Sequence, residues 1–127
     1  QVSSYGEGSA GQESKPRGIK SMSGYATYYD RASCIKEQPH YQAITASGEP
    51  LNDTAMTCAL PHHAFGKQYR VCREDTPSRC VVVRHNDYGP GKGPRSRGVV
   101  IDLSAGAFAT LAPLRVGKLA VTVEVVP

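Results

Sequence analysis

The chain has 127 residues, 39% of them hydrophobic, and a formal net charge of +4. That length fits one domain around one core, and no apolar run approaches the roughly 18 residues needed to cross a bilayer, which argues against a membrane partner. A pI near 9.0 calls for an anionic partner, but no nucleic-acid motif is present, which leaves cell-wall polymer or an acidic protein surface ahead of nucleic acid.

Residues 1–22 are rich in Ser, Gly, Gln, Glu and Lys and have almost no apolar periodicity. This is the composition of a disordered tail, with the folded domain over residues 23–127. A disordered segment can enter an enzyme cleft in extended form. The N-terminus lacks the basic-then-apolar pattern of a signal peptide. Cysteines 34, 58, 72 and 80 form neither a CxxC pair nor a zinc spacing, and an even count in a small basic protein suggests two disulfides. The chain therefore reads as a mature, secreted, extracellular protein.

Tyr25–Tyr29 has the aromatic and β-branched content of a first strand. A long loop with Cys34, Pro39 and His40 follows, then a turn at Ser47–Pro50, a short segment at Ala55–Ala59 and a strand at Gln68–Cys72. Cys72 and Cys80 bracket a polar turn between two strands, so the pairing Cys72–Cys80 is expected; Cys34–Cys58 is then the second bridge.

Val81–Val83 and Val99–Ile101 read as buried strands. The Gly- and Pro-rich stretch between them is expected to be neither helix nor strand, and Arg84, Lys92, Arg95 and Arg97 against Asp87 give it +3 of the total charge. Asp102 and Ser104 offer an N-cap to a short helix at Ala105–Ala112, stopped by Pro113. Alternation over residues 119–126 gives a last strand. The pattern is that of a small, mostly β barrel.

His40, His62, His63 and His85 share no ligand spacing with carboxylates or cysteines, so neither a metal nor another cofactor is expected. Asp87 and Asp102 each end an apolar run, where a carboxylate commonly satisfies turn or helix N–H groups. Asp102 is given mostly to that structural role and Asp87 equally to structure and to a site.

In order along the chain, Gly24–Tyr29, Thr45–Glu49, Ala55–Thr57, Phe65-Gly66, Arg70-Val71, Val82–Pro90 and Val100–Ser104 resemble the double-psi β-barrel domain of the rare lipoprotein A family, related in fold to expansins and barwin-like proteins. The resemblance implies a six-stranded double-psi β-barrel with one or two short helices. In lytic members a Glu of the "G-E" turn, a His of "T-A-A-H" and the Asp of "N-D-R-G-P" cleave peptidoglycan. These positions fall on Glu49, Leu60 and Asp87. Leucine exchanges no proton, so the resemblance implies a vestigial site and no enzyme.

The same barrel also occurs in small secreted papain inhibitors of actinobacteria. That likeness implies a protease inhibitor whose partners are papain-like cysteine proteases, extending to trypsin-like serine proteases, and a substrate of a transglutaminase, for which Gln12, Lys15 and Lys20 of the extended tail are the expected reactive residues. The shaped loop Tyr88–Arg97 is the candidate contact, through Tyr88, Lys92, Arg95 and Arg97. The alternative is a domain of the rare lipoprotein A type that binds or cleaves peptidoglycan or another polysaccharide.

Overall fold

The computed structural model describes residues 21–37, 43–62 and 64–127. Gln12, Lys15 and Lys20, and likewise His40 and His63, lie outside the described residues. The elements are β1 (Ser21–Tyr29), α1 (Arg31–Glu37), β2 (Thr57–Leu60), β3 (Gln68–Arg73), β4 (Cys80–Tyr88), α2 (Lys92–Ser96), β5 (Val99–Ser104), α3 (Ala105–Leu111) and β6 (Leu119–Val125), with a 3-10 turn at Leu114–Val116.

The six strands close into a barrel in the order β1-β5-β2-β4-β3-β6. Two neighbouring pairs, β1 with β5 and β2 with β4, run parallel, and the others run antiparallel. The double-psi β-barrel expected from the sequence is the fold of the chain. Closure leaves no sheet edge to protect. Strand periodicity of two then sends one set of side chains inward: Ala26, Cys58, Leu60, Val71, Val83, Ile101, Leu103, Val121 and Val123 are all essentially inaccessible and form one core.

Helix α3 presses Phe108 and Leu111 onto that core, with the Phe108 ring 5.0 Å from that of Tyr28. Its cap is Ser104, whose Oγ accepts from the Ala107 N–H at 3.2 Å and donates to the Ala55 carbonyl at 2.6 Å. Gly106 lets the helix meet the preceding loop: its N–H reaches the Asp53 carbonyl at 2.7 Å, and a Cβ there would lie 2.8 Å from the same oxygen.

Local chemistry departs from the sequence expectations in four places. Ser21 and Met22, expected in the tail, open β1 and pair with Glu124 and Val123 of β6. Arg31–Glu37 is helical rather than loop, because Asp30 accepts from the Ser33 N–H at 2.7 Å and starts a turn. Lys92–Ser96 also makes a helical turn, which Pro94 tolerates because a first-turn N–H has no intrahelical partner to lose. Cys72 and Cys80 are directly opposed on β3 and β4 and are disulfide-bonded, whereas Cys34 and Cys58 remain thiols. The expected Cys34–Cys58 bridge is absent because Cys58 points into the core from β2, while Cys34 sits half-buried on a helix whose other described side chains are exposed.

Thiol titration of the chain unfolded without reductant should find two reactive cysteines, Cys34 and Cys58; none would contradict this assignment. Replacing Cys72 and Cys80 together with Ser releases a short loop and should lower stability to urea by about 2 kcal/mol.

Candidate functional site

The slip between two parallel strands builds the site. Along β2 and β4 the partners are Thr57 with Arg84 and Cys58 with His85, but Ala59 then pairs with Asp87, passing over Asn86. Such a bulge re-aims the side chains around it. Cys58 and His85 face the core, whereas Asn86 and Asp87 turn to the loop that carries Glu49.

That loop is fixed as a tight turn. The Thr45 N–H bonds the Glu49 carbonyl at 2.8 Å and the Gly48 N–H bonds the Thr45 carbonyl at 2.9 Å, with Gly48 at φ 94°; a left-handed φ suits glycine. Glu49 accepts from the Arg84 guanidinium at 2.7 Å and from the Asn86 side-chain amide at 2.9 Å. The Arg84 bond first, then the Asn86 bond, hold its carboxyl below the usual glutamate range. Asp87 Oδ1 accepts from the Ala46 N–H at 3.0 Å and from the Tyr88 N–H at 2.9 Å. The structure thus brings Glu49 and Asp87 to one surface, beside a cleft of about 340 Å³ lined by Glu49, Asn52, Thr57, Arg84 and Asn86, among others.

Asp102, assigned mostly to a capping role from the sequence, belongs to this surface instead. It lies on β5 between the inward-facing Ile101 and Leu103, so its side chain faces outward, where the Thr27 hydroxyl donates to it at 3.0 Å. Gly89 packs close by: a Cβ there would stand 3.4 Å from that of Ala59 and 4.0 Å from Asp102 Oδ2, and its φ of 148° is itself awkward for other residues. Burial pushes the Asp102 carboxyl up to about 6; the Thr27 bond opposes the rise and the Asp87 charge adds to it. Nearby, the Tyr29 hydroxyl meets Thr57 Oγ1 at 3.2 Å, and burial raises its ionisation well beyond the usual tyrosine range. Strand period was the signal for Asp102: a charge flanked by two inward-facing apolar residues must lie on the other face.

Leu60 is elsewhere. It is fully buried among the core residues, one position along β2 from Ala59, which faces the carboxylates. Tyr88 is 51% exposed at the end of β4 and packs on the Phe65 ring at 5.0 Å, and Lys92, Arg95 and Arg97 are exposed on and just after α2. Arg95 also borders a second cavity of about 740 Å³, lined largely by apolar residues such as Met22, Tyr25, Val100 and Val125 and sharing no residue with the cleft beside Glu49. Among the described residues no cluster of His, Cys, Asp and Glu could hold a metal ion.

A closed barrel of this topology, with carboxylates converging on its outer wall, defines a double-psi β-barrel domain. Residues 21–123 match the family described as lytic transglycolase, and the chain belongs to that family. It is 40% identical over 105 residues, 83% of its length, to a probable endolytic peptidoglycan transglycosylase RlpA of Nostoc sp., and spans about a quarter (26%) of that relative. A Streptomyces papain inhibitor superposes with a TM-score of 0.62 at 25% identity, covering 85% of this chain and 96% of the inhibitor. A point mutant of a Clavibacter michiganensis expansin, solved in complex with cellohexaose, superposes at 0.57 with 19% identity over 85% of this chain and 51% of its own, and that likeness shows the fold alone.

These findings correct one expectation. Leu60 was the ground for regarding the chain as no enzyme, yet its family and its Nostoc relative are named for an enzymatic activity. The physical reason is that Leu60 is a core residue, so its identity leaves the outer-face carboxylates Glu49, Asp87 and Asp102 in place.

The raised Asp102 value sets the sign of a pH effect. A folded-state value above the unfolded one, near 3.9, means that the folded chain binds this proton more tightly, so the stabilisation is full at low pH and is lost as pH rises through about 6. Asp102→Asn keeps an oxygen acceptor for Thr27. It should be more stable than the native chain near pH 8, by roughly 1–3 kcal/mol, and equally stable near pH 3. Unfolding curves across that range measure this, and a pH-independent difference would contradict it.

Proposed function

We propose that the domain cleaves the glycan of bacterial cell wall at the outer face formed by β1, β5, β2 and β4. The observation that carries this reading is the contrast between two carboxyl environments on that face: Asp102 keeps its proton up to about pH 6, while Glu49 is held as an anion by Arg84 and Asn86. Glycosidic cleavage needs both kinds of group, a proton for the departing oxygen and negative charge near the developing oxocarbenium ion. Asp102 supplies the proton. Asp87, whose charge already acts on Asp102, is the nearby stabilising carboxylate, and Glu49 anchors the rim of the cleft through which the chain of sugars passes. Family membership supports this substrate class, and the cellohexaose bound by the expansin mutant supports a polysaccharide on this fold.

A second reading rests on a different observation. The Streptomyces inhibitor is matched along nearly its whole length, and the cationic turn at Lys92–Arg97 is exposed as an inhibitory edge requires. In that reading Tyr88, Lys92, Arg95 and Arg97 contact a papain-like protease, and a trypsin-like protease takes one Lys or Arg in its acidic pocket. The two surfaces are separable, since α2 contributes no side chain to the carboxylate cleft.

Incubation with purified peptidoglycan should release soluble glycan fragments detectable by mass spectrometry, and Asp102→Asn should reduce the rate by roughly 10²-fold or more. Combined replacement of Tyr88, Lys92, Arg95 and Arg97 by Ala should leave that rate within about threefold, because none of the four lines the cleft beside Glu49. No release by the native chain, together with papain inhibition that the fourfold variant abolishes, would replace the first reading with the second.

A further inference from the structure

We infer that His85 is a positioning residue for Asp87, its ring holding the β4 bulge in the one conformation that turns the Asp87 carboxylate to the outer face. The inference rests on the glycan-cleaving reading for its consequence in catalysis, but not for its geometry.

His85 is wholly buried, on the inward side of β4 in register with Cys58. Its Nε2 lies 2.9 Å from the backbone carbonyl oxygen of Asp87. A carbonyl oxygen only accepts, so Nε2 carries a proton and donates it. At the bulge the ladder skips Asn86, and the imidazole bonds the carbonyl of the residue just after it. Among the described residues Nδ1 has no partner. Leaving a buried polar atom unpaired costs about 1–3 kcal/mol, so the ring is a poor choice for filling the core alone, and its Nε2 bond is its distinctive contribution.

The ring is itself fixed. Phe65 stands edge-on at 5.0 Å, His62 at 5.4 Å and Tyr69 at 6.4 Å between centroids. Its own backbone is tied on both sides, N–H to the Lys67 carbonyl and carbonyl to the Gly66 N–H, each at 2.9 Å. A rigid donor therefore grips the Asp87 main chain from inside the barrel, while Ala46 grips its carboxylate from outside. Between those two bonds the Asp87 side chain has one direction left, and that direction places its charge where it acts on Asp102.

The test separates positioning from packing without relying on catalysis. In the native chain, nitrogen-detected NMR of His85 should show the proton on Nε2; a ring protonated on Nδ1 alone would overturn the inference at once. In His85→Phe, which keeps the ring volume and removes the donor, Asp87 should drift and the Asp102 titration followed by carboxyl carbon NMR should move down from about 6. His85→Gln, which retains a side-chain N–H donor, should restore it, and serves alone if the Phe variant does not fold. An Asp102 midpoint unchanged in a folded Phe variant, or displaced as far by Gln as by Phe, would show that His85 only fills space. Where glycan release is measurable, the Phe variant should lose roughly 10²-fold in kcat with KM little changed. Absence of release would count against the proposed function, and the titration would still decide the role of His85.

Discussion

The one-residue slip between β2 and β4 decides where the polar groups of this domain point. In an uninterrupted parallel pair, strand period alone would carry His85 and Asp87 to the same face of β4. The slip at Asn86 breaks that phase, so His85 stays in the core while Asn86 and Asp87 face the Glu49 turn. Three contacts of the cleft follow: Asn86 reaches Glu49, Asp87 reaches Ala46, and the Asn86 carbonyl accepts from Ser47 at 3.2 Å. The turn carrying Glu49 is thus pinned to the barrel by the bulge.

A closed barrel around an apolar core gives its outer wall two kinds of setting for a carboxylate. Glu49 sits on a loop, half-exposed, where a guanidinium can reach it. Asp102 sits on a wall strand between neighbours on both sides, partly covered by Gly89 and Thr27, and loses water without gaining a cation. Desolvation then wins over one hydroxyl bond, and the proton stays. Opposed carboxyl environments on one face arise here from topology, since a loop and a central strand cannot offer the same solvation.

Much of this architecture was legible in the residues. Val81–Val83, Val99–Ile101 and the alternation of residues 119–126 announced three strands because β-branched runs and period two leave few other choices. The opposed Cys72 and Cys80 announced a hairpin. What stayed hidden depended on distant partners. Asp102 looked like a helix cap because it precedes Ser104 by two positions, and only the pairing of β1 with β5, which brings Thr27 alongside, shows its other face in use. Cys34 and Cys58 looked like a pair because an even count invites pairing, whereas the inward direction of Cys58 forbids it. Leu60 marked the position of a family histidine, and the sequence could not say that the side chain there is buried.

The central claim is that a glycan chain lies along the carboxylate face, and NMR mapping with a soluble N-acetylated glycan oligomer tests it most directly. Amide shifts should move at Thr27, Ala46, Asn86, Gly89 and Asp102, with saturation as the oligomer is added. Shifts confined to Lys92–Arg97 with the carboxylate face unmoved, or no shift at any concentration, would contradict the account.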